Sequence, residues 1–342
     1  MFKCLLFGLL ASAMAVLGGC NTMRHSGPMS DHFDGEKFFN PGHRSHKSFL
    51  DVLKWKLTET SVPWPEEISL TSAPWENKKV SPGKVRVTYV NHASILIQSS
   101  TQTILTDPVY SKRVSPLSWA GPKRRKLPGI PFENLPPIDV VLISHNHYDH
   151  MDKETLRRLQ ERGNPLVLAP LGDCRVLEDI SGLRCEELDW WQKRAVDEVQ
   201  IEFCPAQHWS ARGMFDRNES LWGSYALQVE GKTIYFAGDT GFGNHFEAIA
   251  KRYPQVDLAL LPIGAYAPRW FMKDHHLNPE EAVKAHQVLG AKKSLGIHFG
   301  TFKLTDEAYE EPAQRLSEEL ERLKISKEEF LAKDNGFDLW LE

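Results

Sequence analysis

The sequence predicts a mixed α/β protein in which helices cover the outside of a sheet of parallel and antiparallel strands. Short runs of β-branched and aliphatic residues recur between residues 85 and 297, and helical patterns separate some of these runs whereas short turns separate others. Histidines and aspartates stand just after several of the runs, where open α/β sheets place their functional side chains.

Turn residues and one long loop separate the predicted strands and helices. A turn at Asn91-His92 separates the first two strands, Asp107 and the following proline end the third, and residues 110–137 predict a long loop. The predicted strands span residues 85–90, 94–98, 103–106, 140–143, 166–169, 199–204, 225–229, 233–237, 258–262 and 294–297. The predicted helices span residues 46–57, 153–162, 244–252, 279–289 and 306–323.

The composition is that of a globular chain without a basic surface. Of the 342 residues, 41% are hydrophobic and 25% are charged, and the formal net charge is −4. Because nucleic-acid binders usually carry a basic excess, we expect no nucleic-acid partner. Residues 21–80 are rich in proline, serine and charge and predict a tether with an irregular lead-in, whereas residues 81–342 predict one large domain.

Residues 1–20 predict a signal peptide. Lys3 precedes an apolar run over residues 4–17, which is too short to span a bilayer comfortably. Residues 17–20 (Leu-Gly-Gly-Cys) resemble the lipobox of bacterial lipoproteins, which implies a lipidated Cys20, and Asn21 in place of aspartate implies the outer membrane. We therefore expect a protein of the bacterial cell envelope, anchored in the membrane through Cys20 and facing the periplasm. The alternative is an ordinary cleaved signal in which the cysteine is incidental.

Two other features leave alternatives open. Cys174, Cys185 and Cys204 remain in the body of the chain, and they allow one disulfide or buried free thiols. The basic run from Lys123 to Lys126 fits contact with anionic lipid head groups and fits a solvated loop equally well.

A dense group of metal-ligand residue types follows the predicted strand 140–143. His145, His147, Asp149 and His150 lie within six residues, and imidazole and carboxylate groups suit divalent transition metals. Four ligands in one short turn cannot all face the same ion, so alternate positions are expected to serve two neighbouring ions. A histidine-rich surface loop is the competing interpretation, but this spacing at a strand end favours a metal site.

Further candidate ligands stand at the ends of later predicted strands. His208 follows strand 199–204, Asp239 follows strand 233–237, and His298 follows strand 294–297. A lone histidine is more often a core or surface residue, but the shared position at strand ends supports all three together. The two carboxylate oxygens of Asp239 could bridge two ions.

With these ligands in place, the sequence resembles the metallo-β-lactamase superfamily, and within it the branch of N-acylphosphatidylethanolamine-hydrolysing phospholipase D enzymes, of which it looks like a bacterial lipoprotein member. The resemblance runs from about residue 80 to the C-terminus and includes the motif His145-x-His147-x-Asp149-His150. Other matching stretches are residues 105–109, 121–124, 135–150, 187–191, 207–209, 221–224, 236–241, 262–273 and 298–302.

The resemblance implies an αββα sandwich of two mixed sheets with helices outside, and two zinc ions, with iron or manganese as alternatives. It assigns the first ion to His145, His147 and His208. The second ion goes to Asp149, His150 and His298, and Asp239 bridges the two. In the same pattern His92 and Asp107 orient the ligands, whereas plain turn chemistry is the competing explanation for both.

The function that the resemblance implies is a phosphodiesterase of phospholipase D type. A hydroxide held between the ions would attack a phospholipid or other lipid-like substrate and release N-acylethanolamine and phosphatidic acid. Asp149 is the expected proton acceptor, and Tyr148 and His276 are candidates for contact with the substrate or a ligand. The alternatives are a lactone, lactam or ester hydrolase with the same metals, and a non-catalytic metal-binding surface lipoprotein.

Overall fold

The structure is a computed structural model that describes residues 25–43, 47, 49–58 and 61–342. The signal peptide, the lipobox with Cys20 and the predicted helix start at His46 lie outside these residues. Within the part that the structure describes, no helix is both long and apolar enough to cross a bilayer.

The strands form two seven-stranded sheets, with the orders β14-β1-β2-β3-β4-β5-β6 and β13-β12-β11-β10-β9-β8-β7. The strands are β1 (Val85–Asn91), β2 (Ser94–Gln98), β3 (Thr103–Thr106), β4 (Val140–Leu142), β5 (Leu166–Pro170), β6 (Arg184–Leu188), β7 (Lys193–Val196), β8 (Val199–Cys204), β9 (Ser224–Val229), β10 (Lys232–Phe236), β11 (Val256–Pro262), β12 (Ala291–Ile297), β13 (Phe330–Leu331) and β14 (Asp338–Leu341). Both sheets contain parallel and antiparallel pairs.

The pairing directions bring the ends of several strands to common edges. In the first sheet β1 and β2 are antiparallel, β2 and β3 are antiparallel, and β3 and β4 are parallel, so β1, β3 and β4 end at the same edge. In the second sheet the antiparallel strand β9 separates β8 from β10, and β10, β11 and β12 are parallel, so β8, β10 and β12 also end together. Every candidate ligand follows one of these strands.

Helices cover the outer faces of both sheets. The helices are α1 (Phe49–Thr58), α2 (Lys153–Gly163), α3 (His245–Arg252), α4 (Arg269–Met272), α5 (Pro279–Leu289) and α6 (Glu311–Leu323), of which α2, α3, α5 and α6 pack on the sheets. One apolar cluster fills the space between the sheets, a second packs β10–β12 against α3, α5 and α6, and a third packs β3–β5 against α2. These four layers confirm the predicted αββα sandwich.

Local sequence accounts for how the helices nearest the strand ends begin and end. Asp152 caps α2 by accepting a hydrogen bond from the backbone N–H of Glu154, directly after the histidine-rich loop. Asn278 and Glu281 form a capping box at the start of α5, and Gly290 ends this helix in a left-handed conformation. Both helices therefore fix the loops that precede them.

Several elements depart from the sequence predictions. The sequence does not predict strands β6, β7, β13 and β14. The first two carry charged, half-exposed positions, β13 has only two residues, and β14 pairs with a strand at the other end of the domain. The last helix begins at Glu311 rather than at residue 306. Asp306 lies before the helix, where its carboxylate accepts a hydrogen bond from the indole of Trp55 (2.9 Å).

Candidate metal centre

The candidate ligands converge where the carboxyl ends of strands from both sheets meet. The loop after β4 brings His145, His147, Asp149 and His150, and the second sheet brings the residues that follow β8, β10 and β12. All seven predicted ligands lie in overlapping groups whose donor atoms are within 4.8 Å of one another. The structure therefore gathers the whole predicted set at one site.

His145, His147 and His208 form the first group. The Nδ1 atom of His147 lies 2.8 Å from Nε2 of His145 and 3.3 Å from Nε2 of His208. The edges of a zinc tetrahedron with Zn–N bonds near 2.0–2.1 Å are about 3.3 Å long. The three ring nitrogens thus have the spacing of ligands that share one cation.

Asp149, His150 and His298 form the second group. The Nε2 atom of His298 lies 3.1 Å from Nε2 of His150 and 3.2 Å from Oδ2 of Asp149. The same carboxylate oxygen lies 3.5 Å from Nε2 of His150. Two imidazoles and one carboxylate therefore converge on a second point.

Asp239 lies between the two groups. Its Oδ2 atom is 3.2 Å from Nε2 of His150 and 3.9 Å from Nε2 of His208, and its Oδ1 atom is 3.2 Å from Nε2 of His298. Gly238 precedes it with φ +59°, and a Cβ atom at Gly238 would lie 2.6 Å from the side chain of Ser144. Only glycine therefore allows the chain to bring Asp239 this close to the histidine-rich loop.

Other side chains fix the orientation of the imidazoles. Nδ1 of His150 donates to Oδ2 of Asp107 at 2.7 Å, and Nδ1 of His208 donates to the carbonyl of His275 at 2.9 Å. Each of these bonds leaves Nε2 of the ring directed at the centre. Nε2 of His92 lies 3.0 Å from Oδ2 of Asp149, so the predicted partners His92 and Asp107 both contact a ligand.

Three of these residues adopt backbone conformations that are unusual outside glycine. The φ angles are +49° at His92, +33° at Asp107 and +59° at His298, each directly after a strand. Such conformations cost free energy and persist where the surrounding structure holds them. The strand ends are therefore shaped to direct these side chains at the centre.

Burial and charge set the protonation of the ligands. Burial lowers the pKa of His147 to about 3 and also lowers the pKa values of His145 and His208, so these imidazoles are neutral at pH 7. Burial raises the pKa of Asp239, but the positive charges of His298 and His150 outweigh it and hold the pKa below its usual range. Burial would lower the pKa values of His150 and His298, but the charges of nearby carboxylates outweigh it and raise them, at His298 to about 9, so these two rings are protonated here. Neutral imidazoles and ionised carboxylates are the forms that bind metals, so a metal ion would take the place of these two protons.

These donors fit a pair of divalent cations. A cluster of imidazoles and two carboxylates without thiolates is the donor set of zinc and of iron or manganese centres. Neighbouring ligand atoms lie 2.8 to 3.9 Å apart, and two carboxylates buried in the same site are stabilised by positive charge, which metal ions would supply. We conclude that the site is built to hold metal ions.

A cavity of about 440 Å³ opens onto Asp149 and Asp239. Its lining combines apolar and aromatic side chains with three cationic ones, Lys47, Arg212 and Arg217. The guanidinium of Arg217 lies 4.1 Å from the ring centre of Trp209, which lies 4.3 Å from the ring centre of His147. The sequence predictions missed these cations. Lys47 falls near the start of the predicted helix 46–57, and Arg212 and Arg217 belong to a loop without a periodic pattern, where proximity to His208 was the only signal.

Tyr148 and His276 occupy different positions in this cavity. The phenol of Tyr148 donates to the carbonyl of Arg212 at 3.0 Å, and the guanidinium of Arg212 lies 4.0 Å from the centre of the Tyr148 ring. Tyr148 therefore bonds with Arg212 rather than with a ligand, and it also lines the cavity, so its contact with a substrate stays a prediction. His276 faces the centre, with Nδ1 3.7 Å from Oδ2 of Asp239.

Most side chains of the basic run from Lys123 to Lys126 form hydrogen bonds or ion pairs with other parts of the protein. The guanidinium of Arg124 donates to the carbonyl of Val109 at 2.8 Å, and Lys126 is buried and paired with Asp334. Arg125 forms an ion pair with Glu66. Neither predicted alternative, lipid contact or a solvated loop, therefore describes residues 124–126.

The three cysteines in the described part of the chain form one disulfide and leave one free thiol. Cys174 and Cys185 are bonded, and this disulfide joins a short 3-10 helix to the edge strand β6. Cys204 is free and buried.

Comparison with known proteins agrees with this geometry. Residues 102–299 match the family model of the beta-lactamase superfamily domain. The chain is 35% identical to N-acyl-phosphatidylethanolamine-hydrolyzing phospholipase D 1 of Caenorhabditis elegans, over 89% of this chain and 90% of that protein. It is 38% identical to the mitochondrial N-acyl-phosphatidylethanolamine-hydrolyzing phospholipase D of Saccharomyces cerevisiae, over 62% of this chain but only 47% of the yeast protein.

A solved structure supports the fold. The metallo hydrolase Igni18 from Ignicoccus hospitalis superimposes with a TM-score of 0.57 at 20% identity, covering 76% of this chain and 99% of that one. The sequence match over most of the domain, the shared fold and the gathered ligands lead to one conclusion. The chain belongs to the beta-lactamase superfamily of metal-dependent hydrolases, and its relatives there include N-acylphosphatidylethanolamine-hydrolysing phospholipases D.

Proposed function

We propose that this protein is a phosphodiesterase of phospholipase D type that hydrolyses N-acylphosphatidylethanolamine or a related lipid. The products would be an N-acylethanolamine and phosphatidic acid. The observation that carries the proposal is the cavity, in which apolar walls and cationic side chains meet directly at the candidate metal ligands. This combination suits a molecule with an anionic phosphodiester and acyl chains. The similarity to the nematode phospholipase D supports the same reaction.

Two divalent cations, with zinc as the first expectation, would supply an activated water and offset the negative charge of the phosphodiester. His145, His147 and His208 would hold one of them, and Asp149, His150 and His298 the other, with Asp239 in contact with both. The same nitrogen and oxygen donors also accept iron or manganese.

Other side chains of the cavity have separate tasks in this proposal. Asp149 would accept a proton, since its carboxylate reaches the cavity while Oδ2 is held by His92 and His298. Burial lowers the pKa of His276 to about 4, so its neutral imidazole would donate a hydrogen bond to the leaving oxygen. Tyr148 would act by positioning Arg212.

Arg217 would bind an oxygen of the substrate that lies away from the reacting phosphorus. Its guanidinium stacks on Trp209 and forms no ion pair with any residue that the structure describes. A cation without a carboxylate partner, held on an aromatic face beside the centre, is available for a carbonyl or phosphate oxygen of the lipid.

We further propose that the protein is exported and anchored to the cell envelope through a lipidated Cys20. The disulfide between Cys174 and Cys185 supports export, because disulfides persist in oxidising compartments such as the periplasm. Metabolic labelling with a palmitate analogue tests this: the native chain should be labelled and Cys20→Ser should not. Equal labelling of both would contradict it.

The reaction is tested by incubating the metal-loaded protein with N-acylphosphatidylethanolamine in H₂¹⁸O and identifying the products by mass spectrometry. Attack at phosphorus breaks the bond between phosphorus and the ethanolamine oxygen, so ¹⁸O should appear in phosphatidic acid and not in the N-acylethanolamine. A bis-aryl phosphodiester, lactones and β-lactams complete the panel. Turnover of the carbonyl compounds alone would reject the phosphodiesterase proposal.

The matched variants are Asp239→Asn and Asp179→Asn. Asp239 contacts both ligand groups, so its replacement should remove most activity and reduce the bound metal measured by elemental analysis. Asp179 is an exposed carboxylate that pairs with Lys153, and its replacement should change neither quantity. Full activity of the Asp239→Asn protein would show that the bridging ligand is wrongly assigned.

A further inference from the structure

Exposed apolar side chains concentrate around the mouth of the cavity. Among the described residues, twelve large hydrophobic side chains are exposed to solvent. All but Met29, Val62 and Leu127 belong to four segments that also contribute residues to the cavity lining. Single exposed apolar residues are normal on protein surfaces, but a contiguous group around a ligand cavity marks an interaction surface.

The first segment is α1, which has apolar residues on two opposite faces. Trp55 is buried, lines the cavity and donates its indole N–H to Asp306, so this side of the helix holds it on the body. Leu50, Leu53 and Leu57 are exposed and spaced by three and four residues, which places them along one outward face. Leu57 is 77% exposed, so nothing in the described chain covers this face.

The second segment is α4, which lies against α1. The ring of Phe271 lines the cavity and lies 5.0 Å from the ring of Trp55. The neighbouring Trp270 is exposed, and the Nζ atom of Lys54 lies 4.8 Å from the centre of its ring. The outward faces of α1 and α4 are therefore continuous.

The third segment is the loop that leaves the cavity at Val114. Arg113 and Lys123 pair in an isolated antiparallel bridge, so the residues between them form a closed projection. Leu117 and Trp119 lie on this projection, and Trp119 is 75% exposed. An indole held in solvent at the end of a closed loop is typical of side chains that reach an interface between water and lipid.

The fourth segment is the turn at residues 213–216. The carboxylate of Asp216 accepts hydrogen bonds from the backbone N–H groups of Arg212 (3.0 Å) and Gly213 (2.8 Å), and these bonds fix the turn. Met214 and Phe215 lie at its tip, and Phe215 is 84% exposed. The turn thus presents two apolar side chains beside the residues that line the cavity.

Cationic side chains accompany these four segments. Lys54, Lys56, Lys112, Lys123 and Lys273 are all exposed, and each lies within or next to one of them. Apolar side chains surrounded by lysines match the boundary of a bilayer, where acyl chains lie beneath anionic head groups. A protein partner would need a complementary acidic surface, whereas an anionic lipid surface supplies both features.

We propose that these four segments, which we call the rim, dock on an anionic lipid bilayer with the cavity mouth facing the lipid. Leu50, Leu53, Leu57, Trp119, Phe215 and Trp270 would insert among the head groups, and a lipid would enter the cavity without crossing water. The preference for a lipid surface over a protein surface rests on the proposed function.

The test measures co-sedimentation with vesicles of phosphatidylcholine, with and without phosphatidylglycerol. It uses the metal-loaded chain without residues 1–20, the predicted signal peptide and lipid anchor, so that vesicle binding reports on the rim and not on the anchor. Two rim variants, Leu53→Ser with Leu57→Ser and Met214→Ser with Phe215→Ser, are compared with the control Met29→Ser. Met29 is 73% exposed but lies outside the rim.

Each rim variant should bind the anionic vesicles at least about tenfold more weakly, because it loses two apolar side chains that would insert into the bilayer. The control should bind like the unaltered chain, and all variants should hydrolyse a soluble bis-aryl phosphodiester equally. Undiminished vesicle binding by both rim variants would overturn the proposal. The proposal would also be overturned if light scattering found a dimer of the unaltered chain and only monomers of the rim variants. If no phosphodiester is hydrolysed but rim variants still lose vesicle binding, the docking surface stands and the proposed function fails.

Discussion

At the scale of single residues, the centre depends on which nitrogen of each imidazole faces the metals. In His150 and His208 the Nδ1 atom donates to an oxygen of the protein, so Nε2 is the nitrogen that points inward. In His147 the arrangement is reversed, and Nδ1 approaches the other ligands. The hydrogen bonds of His150 and His208 therefore set which nitrogen of these two rings faces the centre.

Asp107 offers a direct test of this orientation. It is fully buried and accepts hydrogen bonds from His150 and from the backbone and hydroxyl groups of Ser144. Asp107→Ala should weaken binding of the second ion by about 10- to 100-fold, the usual effect of losing such a partner. Competition with a chromogenic chelator measures this affinity. An unchanged affinity would mean that the bond to His150 does not orient the ligand.

Arg217 should affect substrate binding more than the chemical step. Replacing it with methionine keeps much of the apolar contact with Trp209 but removes the charge. The KM for the lipid substrate should rise by about 10- to 100-fold, as expected when a hydrogen bond to a charged group is lost. The kcat should change far less. A fall in kcat at constant KM would place Arg217 in the reaction itself.

The ligands could be predicted at this scale because their positions carry local signals. Four lie in one short motif, and His208, Asp239 and His298 each follow a recognisable strand. Lys47, Arg212 and Arg217 carry no such signal, since cationic residues in loops are usually solvated. Arg212 and Arg217 pack against Tyr148 and Trp209, and Lys47 lies beside Phe271, which only the folded chain reveals.

At the scale of elements, the buried strands were predictable and the edges of the sheets were not. Strands β2, β3 and β8 lie where the sequence places them, because β-branched residues pack on both faces of a covered sheet. The edge strand β7 reads Lys-Arg-Ala-Val and alternates between exposed and half-buried positions. β14 completes its sheet by pairing with β1, about 250 residues earlier, a distance that no local pattern encodes.

The disulfide is the covalent link between two elements, and its removal should be measurable. It closes a short loop, since only 11 positions separate Cys174 from Cys185. Replacing both with serine should lower the free energy of unfolding by about 2–3 kcal/mol, because the unfolded chain gains freedom. Urea unfolding measures this change. A thiol assay under denaturing conditions, on the chain that keeps both cysteines but lacks residues 1–20, should find one free thiol. Three free thiols would contradict the disulfide.

At the scale of the whole molecule, stability should depend on pH through a buried carboxyl group. Burial raises the pKa of Asp173 to about 8, well above the value of about 3.8 for an unfolded aspartate. Between these values the folded state binds the extra proton, so the free energy of unfolding falls as the pH rises from 4 to 8. This contribution is present at low pH and is lost as the pH passes through the folded pKa.

The variant Asp173→Asn should flatten this dependence, because it keeps the uncharged form at every pH. Thermal unfolding at pH 5 and pH 8 should show a smaller difference in Tm for Asp173→Asn than for the unaltered protein. Asp179→Asn, at an exposed position, should retain the original difference between the two pH values. An identical pH dependence in all three proteins would show that Asp173 is ionised in the folded state.

The central claim is that seven side chains from both sheets enclose two metal ions. Crystals of the purified protein, measured above and below the absorption edge of the metal found by elemental analysis, test it most directly. We expect two anomalous peaks per chain, one among His145, His147 and His208 and one among Asp149, His150 and His298, with Asp239 in contact with both. A protein without bound metal, or peaks outside this cluster, would contradict it.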